Sequence, residues 1–285
     1  MYLAYFGFRE RPFSVTPDAS YFFMTKQYEA ALDTLLFAIR ERLGFMVLTG
    51  EVGTGKTTLS RELLNRLDES VATAMLVNPL LSVPELLQAI NRDFGNPVRI
   101  LSPQRQIESL NKFLLKLHAA RHTALVIVDE SQNLSFEALE MIRMLSNLET
   151  DKAKLLQILL VGQPELDKKL AGHALRQLRQ RIVTRSSLQP LQFLEMVRYI
   201  THRLTLAGGK GRVYIEPGAY RLLYRRTDGI PRLINMLCDR ALTAAYVLDT
   251  PIITKGVMRQ AVRDLQGWSE APGWQFWKRL RWVAG

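Results

Sequence analysis

The run Gly50-Glu51-Val52-Gly53-Thr54-Gly55-Lys56-Thr57-Thr58 has glycines and a lysine at a spacing suited to holding a chain of phosphates. Glycines at 50, 53 and 55 let backbone N–H groups close around phosphate oxygens where a side chain would intrude. Lys56 then reaches the β- and γ-phosphates, and the Thr57 hydroxyl can ligate Mg²⁺. Asp129 lies at the end of an apolar run, where a carboxylate can hold Mg²⁺ through water. Glu130, next in the chain, can polarise a water for in-line attack on the γ-phosphate. Gln163 ends another apolar run and can hydrogen-bond that water or the γ-phosphate. The implied ligands are ATP and Mg²⁺.

Two sets of arginines bear on the same chemistry. Leu175 to Arg185 contains Arg176, Arg179, Arg181 and Arg185 and no acid. Leu175, Leu178 and Ile182 form a buried stripe at helical spacing, with Arg176 and Arg181 flanking it on opposite sides. A guanidinium set against the charge developing on a γ-phosphate is worth about 10³–10⁵ in rate when a neighbouring chain supplies it. Arg181, where the helix runs into a strand, is the first choice for that role, and Arg179 and Arg185 are reserves. A plain basic surface is the alternative for all of them. Arg232 follows Asp228-Gly229-Ile230-Pro231, and Pro231 suits the first turn of a helix. At that helix start, Arg232 can read the γ-phosphate from within its own chain.

The elements that must position these groups alternate. Gln27–Leu43 is a helix by its apolar spacing, and Phe45–Gly50 is a short buried strand running into the glycine loop. Thr57–Leu67 is the helix that points its positive end at the bound anion. Strands follow at Thr73–Pro79, Ala124–Glu130 and Leu155–Gln163, separated by helices that start at Ser82, Ser102 and Ser135. After Pro190 only helices remain: Gln192–Ala207, Gly218–Thr227, Pro231–Leu248 and Lys255–Leu265. The pattern predicts a doubly wound α/β core followed by a small all-helical domain. Residues 1–44 read as an N-terminal linker and first helix of the ATPase domain, 45–190 as its P-loop core, 191–266 as a helical lid and 267–285 as a tail.

Charge is distributed unevenly along the 285 residues. Residues 1–170 hold 19 lysines and arginines against 20 acids, a net −1, whereas residues 171–285 hold 19 against 7, a net +12. A polyanionic partner (nucleic acid, anionic lipid or phosphate) fits that excess, and so does a solvated basic surface. The single cysteine, Cys238, leaves no internal disulfide and fits a reducing cytoplasm. No zinc-type His/Cys spacing, secretory leader or run of about 20 apolar residues is present. In the tail, Phe276, Trp277, Leu280 and Val283 would share one side of a helix, with Lys278, Arg279 and Arg281 opposite. Residues 274–283 therefore suit an anionic membrane surface or a partner's groove, or else dock on their own lid.

The segments MYLAYFGFRERPFSVTPD, GFMVLTGEVGTGKTTL, ALVIVDESQNLSFEALEMIRMLSNLET, LLQILLVGQPEL, LRQLRQRI and GIPRLIN resemble those of AAA+ ATPases of the general secretion pathway protein A family, including the ATPase of MSHA-type pilus biogenesis. The resemblance covers residues 1 to about 266. It implies a three-layer parallel sheet of order 5-1-4-3-2, a helical lid and nucleotide-dependent self-association into a ring or filament. It also implies ATP hydrolysis that drives assembly of a secretion or pilus machine, with an inner-membrane component as partner. The expected location is cytoplasmic, peripheral at the inner membrane. Gln163 and Arg232 would be sensors 1 and 2, although Asn or Thr is more usual at the first. In this family the segment before the first strand borders the adenine, so Phe13 and Tyr28 either stack there or pack in the core. Family members often continue into a membrane helix and a periplasmic peptidoglycan-binding domain. This chain stops at Gly285, as a short pilus-type member or as a piece of a longer protein. Transposition-helper ATPases of the TniB/MuB kind share much of the core, which keeps a DNA-binding regulator as the alternative. Intact Asp129-Glu130 argues against a nucleotide switch that does not hydrolyse.

Overall fold

A computed structural model describes residues 2–14, 21–77, 80–98, 102–150, 153–209 and 211–267. The tail at 274–283, expected to meet a membrane or partner, lies outside the described residues. The chain divides into two compact units, residues 24–189 and residues 1–23 with 190–285.

The first unit is built on five parallel strands, β1 (Phe45–Gly50), β2 (Val71–Leu76), β3 (Thr123–Val128), β4 (Leu156–Gly162) and β5 (Ile182–Leu188). Their order is β2-β3-β4-β1-β5, the expected 5-1-4-3-2 read from the other edge. β1, β3 and β4 are almost continuously apolar because the sheet is covered on both faces. Val47, Ala74, Val126 and Ile158 face a core shared with α4 (Val83–Asp93), α5 (Pro103–Ala119), α6 (Phe136–Leu145), α7 (Pro164–Ala171) and α8 (Arg176–Arg181). α2 (Lys26–Arg40) lies against β5, and α3 (Lys56–Asn65) against β1 and β4. Helix starts follow local chemistry. The Thr25 hydroxyl accepts from Tyr28 N at the head of α2, Ser135 does the same for Ala138 N at α6, and Ser82 with Glu85 forms a capping box at α4.

All five strands point their C-terminal ends the same way. Gly50, Leu76, Val128, Gly162 and Leu188 are therefore the last residues on one edge of the sheet. β1 has β4 on one side and β5 on the other, so the connections leaving it open a crevice at that edge.

The second unit packs α9 (Phe193–Leu206), α10 (Pro217–Thr227), α11 (Pro231–Val247) and α12 (Lys255–Gly267) with the short N-terminal helix α1 (Tyr2–Phe6). Two dipeptide strands, β6 (Tyr214–Ile215) and β7 (Ile252–Ile253), pair in parallel inside it. Residues 1–23, read from sequence within the N-terminal linker, belong to this unit. Phe6, Phe8 and Phe13 are buried in the helical core. Arg203, 6% exposed, donates from Nε to Pro12 O at 2.6 Å and from Nη2 to Ser14 O at 3.3 Å. The same guanidinium donates to Tyr199 Oη at 2.8 Å and lies 4.7 Å from the Tyr21 ring centroid. A buried cation with two carbonyl acceptors and two aromatic rings fastens the N-terminal segment to the helices.

Candidate nucleotide site

β1 ends in the glycine loop, whose shape follows from one close approach and two backbone angles. A Cβ on Gly50 would lie 2.8 Å from Leu188 O, so close pairing with β5 excludes a side chain there. Gly53 and Gly55 have φ of 82° and 93°, a region that L side chains rarely adopt. Glu51 is exposed and Val52 half-buried, whereas Thr54 is fully buried and donates to Glu51 O at 2.8 Å. Tyr28 braces the loop from behind. It is 5% exposed and its hydroxyl donates to Thr54 O at 2.5 Å. The ring is packed inside this unit, whereas Phe13, paired with it in the sequence reading, belongs to the other unit's core.

Lys56 opens α3 and is 6% exposed. Its ammonium donates to Gly50 O at 2.8 Å and to Glu51 O at 3.1 Å, inside the curve of the loop. Burial holds its pKa below the usual lysine range. The charges of Glu130, Asp129, Glu51 and Glu165 oppose that shift. Thr57 and Thr58 follow on the first turn, both half-buried.

The expected strand Ala124–Glu130 is shorter at its end, because β3 stops at Val128. Asp129 N still donates to Leu76 O at 2.8 Å, which continues the ladder by one bond and points Asp129 at the loop. Asp129 is 1% exposed. Its Oδ2 accepts from Thr57 Oγ1 at 2.7 Å and its Oδ1 from Glu130 N at 2.9 Å. Glu130 takes φ 52° and ψ 35°, left-handed values uncommon for a residue with a Cβ, and this turns the chain into a short 3₁₀ helix over Ser131–Asn133. Glu130 Oε2 accepts from Gln132 Nε2 at 2.5 Å and from Gln163 Nε2 at 3.1 Å. Thus Lys56, Thr57, Asp129, Glu130 and Gln163, read from separate stretches, lie at one edge of one sheet. Gln132 was missed. Its only signal was its place two residues past a carboxylate pair, which reads equally as a polar turn.

The arginines are placed differently. Arg181 is half-buried and donates to Ser146 Oγ at 2.7 Å and Arg143 O at 3.3 Å, capping the end of α6 in its own chain. Arg179 donates to Ala171 O, and Arg185 to Asp167 Oδ1 at 3.3 Å. Arg176 is exposed and makes no hydrogen bond among the described residues. In the helical unit Arg232 is exposed on the first turn of α11. The turn before it is fixed. Gly229 has φ +78°, its O accepts from Leu191 N at 2.9 Å, and a Cβ there would meet Leu191 O at 2.0 Å.

A second feature of the α/β unit is a cavity of about 200 Å³ lined by Arg40, Arg42, Arg66 and Arg121, at the opposite, N-terminal ends of β2 and β3. These arginines close the C-terminal ends of α2, α3 and α5, where carbonyls carry negative partial charge. Among the described residues no group of His, Cys, Asp and Glu could hold a metal by itself. The Thr57–Asp129 oxygen pair instead suits a hard cation that also takes oxygens from a phosphate chain.

Residues 39–170 match the AAA domain family. Over 276 residues the chain is 41% identical to general secretion pathway protein A of Aeromonas hydrophila, covering 96% of this chain and 50% of that protein. The chain therefore spans half the length of that curated relative. Among solved structures, Cdc6p of Pyrobaculum aerophilum superposes with a TM-score of 0.66 at 17% identity, over 89% of this chain and 70% of that one. The ORC2 protein of Aeropyrum pernix gives 0.63 at 19%, over 90% and 72%. At such identities the likeness concerns the fold, which is that of the AAA P-loop ATPases.

Proposed function

The chain belongs to the AAA-domain family of general secretion pathway protein A, and from that premise we propose that it is a Mg²⁺-dependent ATPase that drives assembly or remodelling of a secretion or type IV pilus machine. The carrying observation is the 2.7 Å bond between Thr57 Oγ1 and Asp129 Oδ2, with Glu130 next to it on Gln163. A hydroxyl and a buried carboxylate meet above a glycine loop whose lysine is held by loop carbonyls. That set fits a magnesium triphosphate.

The loop and helix start at Gly53–Thr58, with the Lys56 ammonium, bind the phosphates, the ammonium leaving the Gly50 and Glu51 carbonyls for phosphate oxygens. Thr57 and Asp129 would hold Mg²⁺, which when bound neutralises charge on the β- and γ-oxygens. Glu130 accepts a proton from the water that attacks the γ-phosphorus, and Gln163 orients that water or a γ-oxygen. Arg232, exposed on the first turn of α11, is proposed as the γ-phosphate sensor on the strength of the family resemblance. An arginine from the 176–185 segment of a second copy completes the pocket, so nucleotide state and self-association are linked. Arg176 fits the second role better than Arg181, whose guanidinium caps α6.

The envelope role rests on the relative's name, together with the basic C-terminal part, which suits an anionic membrane surface. Among the described residues no helix is long and apolar enough to cross a membrane. The net +12 of residues 171–285 also favours a second reading, a DNA-stimulated regulator. Turnover measured with anionic vesicles and with duplex DNA separates the two. The first reading predicts stimulation by vesicles alone, and the second a salt-sensitive response to duplex.

A further inference from the structure

Gln132 is 2.5 Å from Glu130 through its Nε2, and its Oε1 accepts from the backbone N of Gln163 at 3.0 Å. Both ends of one carboxamide are therefore used, one on the acid and the other on the residue that leaves β4. We propose that Gln132 is a positioning residue for hydrolysis, a two-ended bridge that ties Glu130 to the end of β4 and so fixes the base relative to Gln163. This rests on the reading of Glu130 as the group that activates water.

Three features around the bridge support it. The backbone of Glu130 is left-handed, so the chain leaves the strand direction there, and the carboxylate is held by its side-chain partners rather than by the ladder. Gly162 precedes Gln163, and a Cβ there would lie 3.0 Å from Gln132 Oε1 and 2.8 Å from Leu166 Cδ2, so a side chain at 162 would crowd the bridge. The backbone that carries Gln132 is itself held from α7, where Lys169 Nζ donates to Gln132 O at 2.9 Å and to Leu134 O. The 131–133 turn, the end of β4 and the last turn of α7 thus form one hydrogen-bonded block with Glu130 attached.

The bridge has a chemical consequence. Glu130 Oε2 accepts from both Gln132 and Gln163. If Gln163 turns to a water or a γ-oxygen, it gives up its bond to Glu130, and the bond from Gln132 still holds the carboxylate. Gln132 therefore lets Gln163 serve the phosphate without setting the base adrift. Misplacing a reacting group by about 1 Å can cost on the order of 10²-fold in rate.

The test is a kinetic cycle on the full chain with Gln132→Ala, Glu130→Gln and the double variant, each with its ATP affinity and melting temperature. The bridge predicts that Gln132→Ala lowers kcat by about 10- to 100-fold with KM and nucleotide affinity within about threefold. It further predicts that Gln132→Ala costs less than about twofold in the Glu130→Gln background, because its effect passes through Glu130. Gln132→Glu keeps the volume and the acceptor for Gln163 N–H, but it replaces the donor to Glu130 with a like charge. Its kcat should fall at least as far. The proposal is overturned if Gln132→Ala keeps more than half of kcat, or if it costs the same factor in both backgrounds. Near-normal turnover by Glu130→Gln alone would instead remove the base reading on which the bridge depends.

Discussion

The Thr57 hydroxyl donates to Asp129 Oδ2 at 2.7 Å, joining the helix after β1 to the end of β3 across a separation of 72 residues. Thr57 is half-buried, and Asp129, 1% exposed, is an acid placed where apolar residues dominate. Asp129→Asn removes the carboxylate charge and keeps the shape. Nucleotide affinity in Mg²⁺ should then fall to the level that the parent shows with a chelator. An Asn variant that keeps the full Mg²⁺ effect would move the metal elsewhere.

Lys56 gives a pH dependence with a definite sign. Burial lowers its pKa, so as pH rises it loses its proton before an ordinary lysine would at about 10.4. ATP affinity should therefore weaken on the alkaline side below that value, and a titration flat up to the ordinary lysine range would contradict the assignment. Between the lowered folded pKa and the unfolded one, the folded chain binds fewer protons. Stability without nucleotide therefore rises with pH through that window. Lys56→Met should abolish ATP binding.

Arg176 and Arg181 make opposite predictions. Arg176→Ala should lower turnover by roughly 10³-fold with little change in melting temperature, and mixing it with Lys56→Met should restore activity through hybrid interfaces. Arg181→Ala should act mainly on stability, because it frees the Ser146 hydroxyl and the Arg143 carbonyl at the end of α6. If Arg181→Ala loses turnover without loss of stability, and Arg176→Ala loses neither, the roles are reversed.

The helical unit depends on two local solutions. Arg203→Ala should cost about 2–4 kcal/mol, since it removes the buried donor to Pro12 O and the bond to Ser14 O and opens a gap between Tyr21 and Tyr199. Gly229→Ala combines a positive φ with a contact of 2.0 Å to Leu191 O, and should cost more than about 1 kcal/mol. Calorimetric melts of both variants check this, and a change within about 0.5 kcal/mol for either would show that its contact is dispensable.

Most of the candidate site was legible because its signals are local. The glycine spacing, the lysine, the acid pair at a strand end and Gln163 each follow from a few neighbouring residues. Strand order was not readable from periodicity and came from the family resemblance. Three features needed tertiary structure. Gln132 gains its meaning only where the 131–133 turn meets the end of β4. Phe6, Phe8 and Phe13 announce burial, but hydrophobicity does not say against what, and they lie in the helical unit. The spacing that set Arg181 beside a buried stripe could not show that the end of α6 would take its guanidinium. β6 and β7, two residues each, are too short for any period to register.

The central claim, that this site hydrolyses ATP with Glu130 activating the water, is tested most directly by single-turnover hydrolysis of magnesium ATP by Glu130→Gln, read beside its ATP dissociation constant. We predict an affinity within about threefold of the parent and a rate lower by about 10²–10⁴. A rate close to the parent's at unchanged affinity would contradict it.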